Sequence, residues 1–265
     1  MRRFVLALLS ATAIGIVSAN AADLPIKAPI YKAPPPIAFN WTGFYLGGFV
    51  GGAFGAGDSS ANDPFSTGAP FIGPYLGADP ISYSLDSSVI GGGTIGFNYQ
   101  MGTWVIGPEA EFGYMRLTGS APYSGSPGIA ETSASSTVGD WYGAITGRFG
   151  YAWDNVLLYG KAGVAVVREK ASVIDATASV GNPGLIDAEG SRTTWGAALG
   201  GGVEWAFEHN WTVKAEYLWL GVNHSVDACG VDTGAGSAGF GATFCSNVSF
   251  PSIHTVKVGI NYLFH

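Results

Sequence analysis

The chain has 265 residues, of which only 12% are charged and 13% aromatic, with 41 glycines. Soluble domains carry about a quarter charged residues, so this is not the composition of a typical cytosolic enzyme. A formal charge of −7 argues against nucleic acid as a partner.

The first 21 residues, "MRRFVLALLSATAIGIVSANA", place two arginines before an apolar stretch and a small-residue triplet, Ala19 to Ala21. This pattern predicts a cleaved export signal over 1–21, whose apolar run is short for a membrane helix. Residues 22–40 repeat Lys-Ala-Pro and end in three prolines, which predicts an extended periplasmic spacer. No later segment is a continuous apolar run long enough to be a membrane helix, so a secreted domain or a membrane β-barrel remains over 41–265.

From Thr42 onward, short segments of period two alternate with Gly, Ser, Asn, Asp and Pro clusters. Eight strands are predicted: 42–53, 88–100, 103–115, 140–153, 156–168, 192–206, 211–222 and 253–264. Tight turns near 101, 154 and 207–210 alternate with long connections at 54–87, 116–139, 169–191 and 223–252. That alternation predicts an all-β, eight-stranded antiparallel up-and-down transmembrane barrel, with short periplasmic turns and long outer loops. The long loops are rich in Ser, Gly, Ala and Asp and read as mobile surface segments. Pro108 lacks a ladder donor inside the third strand, so a local bulge is expected there.

Alternate positions divide the strands into two faces. One face holds Phe44, Leu46, Trp104, Ile106, Phe112, Ile145, Phe149, Val203, Val258, Ile260 and other large apolar residues, with no charge. The other holds many glycines and every mid-strand charge: Glu109, Glu111, Arg148, Lys161, Glu204, Lys214, Glu216 and Lys257. An eight-stranded interior is barely wide enough for ordinary side chains, so the rings must face outward to lipid. Trp41, Trp104, Trp153, Trp205 and Trp211 are then expected in a periplasmic girdle, and Trp141, Trp195 and Trp219 in an outer one.

Glu109 and Glu111, in "WVIGPEAEFGYM", have the look of an acid/base pair. Four acids against four bases read better as a balanced lumenal network that plugs the barrel, because buried charges must be paired. A narrow water-filled pore lined by the same residues is the alternative. Cys229 and Cys245, the only cysteines, lie in one outer loop of an exported chain and read as a disulfide. His224 and His254 flank that loop, and their haem or metal role is weighed against two ordinary rim histidines. The runs "GGGTIG" and "GGG" near 200 complete no phosphate-binding motif.

The segments "AADLP", "FNWTGFYLGG", "GGGTIGFNYQ", "GRFGYAWDNVLLYGKAG", "VEWAFEHNWTVKAEYLW" and "HTVKVGINYLF" resemble the α-proteobacterial outer membrane immunogenic proteins, a porin-like small β-barrel family. The resemblance implies a surface-exposed envelope protein of the Gram-negative outer membrane, handled by periplasmic chaperones and the barrel-assembly machinery. It also implies an assembly signal in the terminal aromatic, here Phe264 followed by His265, and some relatives are linked to haem or host contact. The expectation is a non-enzymatic, cofactor-free envelope barrel with structural and surface-interaction roles; the alternatives are a small-solute porin and a haem-binding surface protein.

Overall fold

The computed structural model describes residues 39–61, 81–124, 132–175, 178–179, 182–183, 185–235 and 240–265. The expected export signal and nearly all of the spacer lie outside these residues. Fifteen strands follow in chain order: β1 Gly43–Gly55, β2 Asp58–Ala61, β3 Ile81–Ser84, β4 Ser88–Met101, β5 Trp104–Tyr114, β6 Arg116–Ser124, β7 Thr132–Trp153, β8 Val156–Asp175, β9 Ala178–Ser179, β10 Asn182–Pro183, β11 Ile186–Ala206, β12 Trp211–Gly221, β13 Ser225–Val231, β14 Thr243–Ser249 and β15 Ile253–Phe264.

Eight of them, β1, β4, β5, β7, β8, β11, β12 and β15, pair antiparallel in a closed ring, the β1–β15 ladder running from Phe44↔Phe264 to Gly55↔Ile253. Closure removes every edge, the condition for crossing a bilayer with strands. The short turns fall where the sequence predicts them, and Gly102 (φ 64°) and Asp154 (φ 48°) supply the left-handed residues that two of them need. Phe44, Leu46, Phe112, Ile145, Phe149 and Val258 are 54–65% exposed on the outward face, as an apolar band against lipid requires.

The expected long loops are in large part strands. β7, β8 and β11 run on beyond the membrane band, and β13, β14, β2 and β3 continue the sheet from β11 while β6 pairs with β7. The Asp86 amide donates to the Thr118 carbonyl at 2.7 Å, bringing the end of β3 beside β6 and nearly closing an outer lobe. Its interior is apolar, with Leu117, Val138, Val167, Val173, Ile186, Ala188, Ala228 and Val248 all buried. Small residues alternating with Ser and Thr make these strands, a pattern weak enough to pass for surface loop.

At Pro108 the expected bulge is absent. The β4–β5 register is unchanged from Gly96↔Glu109 to Tyr99↔Ile106, and the ladder only lapses at the two positions between. Pro108 still pairs in register with Gly147 on β7, so a missing donor on one side opens the ladder without adding a residue.

Trp41 departs from the expected girdle. It is fully buried inside the barrel mouth rather than placed in a girdle, and it packs with Val105, Ala152, Leu157, Tyr159 and Ala206. Its indole N–H donates to the Asp154 carbonyl at 3.2 Å and its amide to Gln100 Oε1 at 2.7 Å, which pins it between two periplasmic turns. Without it, the apolar residues at that end would face water. A lipid-borne bromine quencher is therefore expected to spare the fluorescence of a variant keeping Trp41 alone, and to quench one keeping only Trp104; equal quenching would return Trp41 to the lipid face.

Candidate functional site

The lumen is layered along its axis. Above the Trp41 cluster lies a belt of charge, and above that the apolar core that begins with Phe49, Ile90, Met115, Tyr142, Ala165, Leu218 and Ile253. Each charge comes from an inward position of a barrel strand: Glu109 and Glu111 from β5, Arg148 from β7, Lys161 from β8, Glu204 from β11, Lys214 and Glu216 from β12, and Lys257 from β15. None of the eight is more than 4% exposed.

They form one connected set. Lys161 Nζ stands 2.8 Å from Glu109, 3.0 Å from Glu111 and 2.7 Å from Glu216. Glu109 also meets Lys214 at 3.0 Å and Arg148 at 3.5 Å, while Arg148 reaches Glu204 at 2.6 Å. Lys257 closes the far side, 2.8 Å from Glu111 and 2.9 Å from Glu216. Glu109, Glu111 and Glu216 bring carboxylate oxygens within 4.8 Å of one another, a spacing fit for a metal ion, but the Lys161 ammonium fills the centre of that triangle. With four cations interleaved among four anions, Glu109 and Glu111 have no free face from which to act as an acid/base pair.

Neutral groups complete the belt, among them Tyr45, Tyr159 and Thr212, which the sequence pattern alone did not mark. Tyr45 donates to Glu109 at 2.8 Å and accepts from Arg148 at 2.8 Å; Tyr159 donates to Glu216 at 2.8 Å. Thr212 and Asn261 donate to Glu204 at 2.5 and 2.8 Å. The Arg148 guanidinium lies 3.9 Å from the centre of the Tyr159 ring, adding a cation–π contact. Inward glycines make this possible: a Cβ on Gly96 would stand 2.3 Å from the Tyr45 ring, and one on Gly202 2.8 Å from the Tyr159 hydroxyl. The clue in the sequence was phase, since Tyr45 and Tyr159 share the inward parity of the charges.

Trp104, Trp153, Trp195, Trp205 and Trp211 are 40–64% exposed on the outward face, and Trp141 and Trp219 are half-buried there. Phe264 points outward and packs edge-on against Tyr262 at 4.8 Å. Cys229 and Cys245 are disulfide-bonded across the β13–β14 hairpin, at directly opposed positions. His254 hydrogen-bonds Tyr217 at 2.5 Å and stacks on Phe54 at 5.5 Å on the outer wall, whereas His224 lies between β12 and β13. One carboxylate went unforeseen: Glu169 points into the outer lobe, where burial pushes its carboxyl up to about 7 against the hydrogen bond from Thr194 and the charge of Arg192.

A family model for the outer membrane protein beta-barrel domain matches residues 9–244, and the chain belongs to that family. It is thus an outer-membrane β-barrel protein. Over 273 residues it is 33% identical to the 31 kDa outer-membrane immunogenic protein of Brucella melitensis, covering 97% of this chain and 98% of the relative. Over 209 residues it is 29% identical to the 22 kDa outer membrane protein of Rhizobium leguminosarum bv. viciae, covering 79% and 76% of the two chains. Among solved structures, the outer membrane protein OprG from Pseudomonas aeruginosa aligns over 85% of this chain and 99% of its own, with a TM-score of 0.45 and 11% identity.

Removing one member of the belt leaves a buried, uncompensated charge, which costs about 3–5 kcal/mol. Glu109→Gln is expected to lose stability of that order in urea unfolding from lipid vesicles, and Glu109→Gln with Lys161→Met to regain part of it. A neutral Glu109→Gln would show that the belt does not support the fold.

Proposed function

We propose that this protein is a non-enzymatic envelope barrel with a closed lumen, structural in the outer membrane and interacting with its surroundings through the lobe outside it. The observation that carries this reading is the layering: a charge belt with no member more than 4% exposed lies between the Trp41 cluster and the apolar core of the outer lobe. A small-solute pore needs a continuous polar wall, and neither apolar layer offers one.

The surface role draws support from a relative named as an outer-membrane immunogenic protein and from the folded lobe with its disulfide-bonded hairpin. A haem site at His224 and His254 finds less support, since His254 is engaged by Tyr217 and Phe54 on the outer wall. Biogenesis through periplasmic chaperones and the barrel-assembly machinery, with Phe264 in the terminal signal, belongs to the same reading.

Planar-bilayer recording on the purified barrel tests closure. The expected trace is flat, while Trp41→Ala combined with Leu218→Ala and Leu220→Ala thins both apolar layers and is expected to admit small ions. Stable single-channel steps from the unaltered protein would overturn the closed reading.

A further inference from the structure

The twelve Lys and Arg residues are unevenly spread. Arg2, Arg3, Lys27 and Lys32 precede the described residues, and Arg148, Lys161, Lys214 and Lys257 fill the lumen. The four that remain, Arg116, Arg168, Lys170 and Arg192, lie on β6, β8 and β11, a few residues beyond the outer tryptophans. The outer lobe is otherwise acidic, with Asp58, Asp86, Asp187, Glu189, Asp227 and Asp232 spread over its strands and turns. A lobe short of cations has nonetheless gathered three of the four, Arg116, Arg168 and Lys170, on one outward face.

Their setting is built by the backbone. Between Val138 and Tyr142 the β7–β8 register shifts at a bulge, with Gly139 at φ 117° and Asp140 at φ 68°. Asp140 thereby bonds Lys170 of β8 at 2.5 Å and meets Arg116 of β6 at 3.7 Å, holding two cations together across the strand between them. The hydrogen bond from Lys170, with the charges of Lys170, Arg116 and Arg168, keeps the Asp140 carboxyl below its ordinary value. Arg168 is exposed and makes no ion pair among the described residues.

Beside these charges runs a cleft of about 520 Å³ bounded by Arg168, Lys170, Ser135, Thr137, Ser191 and Glu189. Guanidinium and ammonium groups with hydroxyls suit phosphate oxygens, and a single carboxylate suits sugar hydroxyls. Height is the second constraint. Trp195 is paired with Val166, and Arg168 stands two residues farther out, a rise of ~7 Å from the aromatic ring that puts it at headgroup level. A ligand embedded in the membrane would meet the patch at that height.

We propose that Arg116, Arg168 and Lys170, positioned by Asp140, form a docking site for a phosphorylated glycolipid headgroup of the outer leaflet. Arg192 is paired with Glu169 in the β8–β11 ladder, shares its face and directs its charge at that carboxylate, so it is not part of the site.

The test uses the full chain in phosphatidylcholine nanodiscs doped with a bisphosphorylated diglucosamine lipid, with its dephosphorylated form, or with phosphatidylglycerol, and reads retained lipid by native mass spectrometry. The expected result is at least tenfold preference for the phosphorylated glycolipid over both others, lost in Arg116→Gln/Arg168→Gln/Lys170→Gln. Equal retention of the three lipids, an unchanged preference in the triple variant, or displacement by millimolar inorganic phosphate would overturn the proposal. Should the triple variant not fold, a salt titration of the unaltered protein still decides: raised ionic strength is expected to release the phosphorylated lipid selectively, and salt-independent retention would refute charge recognition.

Discussion

Eight charges buried in a narrow cylinder, with apolar side chains above and below, must cancel or the barrel cannot form. Moving an ion out of water costs several kcal/mol, which only close opposite charges and well-placed hydrogen bonds offset. The belt meets that condition through mixing rather than through isolated pairs. Lys161 touches three carboxylates and Glu109 three cations, while Glu204, paired with Arg148 alone, is completed by Thr212 and Asn261. The demand reaches outward to composition, because the two tyrosines fit only where glycine stands beside each on the neighbouring strand, Gly96 next to Tyr45 and Gly202 next to Tyr159.

The same constraint orders the layers. A polar belt left open to water at either end would be a pore lining. Trp41 covers one end and the core beneath the outer lobe covers the other. The lobe is thus more than a set of connections between membrane strands: β7, β8 and β11 are shared between the barrel below and the apolar interior above, which couples the lobe's strands to the barrel wall. The disulfide between Cys229 and Cys245 ties together β13 and β14, a hairpin of the lobe that is separate from the barrel strands.

The barrel was legible because period two carries two facts at once, the presence of a strand and the side each residue faces. Solvent identity then followed from volume, since so many large rings cannot share an eight-stranded interior. The eight lumenal charges could be assigned to one face, but their partners could not, since Glu111 and Lys257 are 146 residues apart in sequence and are brought together through the β1–β15 ladder. Trp41 was misplaced by chemistry, as tryptophan suggests an interface, although its odd-numbered parity matches Tyr45 and pointed inward. The outer strands escaped notice because Ala, Ser, Thr and Val alternate too weakly to stand apart from loop composition. Glu169 had no sequence signal at all; its environment is made by strands that the sequence did not reveal.

Thiol access to the belt tests the closed, neutral lumen most directly. The protein has no free cysteine among the described residues, and Thr146 faces the belt at 3% exposure. With Thr146→Cys in lipid vesicles, a small charged methanethiosulfonate is expected to react at least a hundredfold more slowly than with Ser87→Cys on the exposed rim, and at full speed only after unfolding in urea. Reaction at comparable rates in the folded state would mean that water and ions reach the belt, and would contradict the closed lumen.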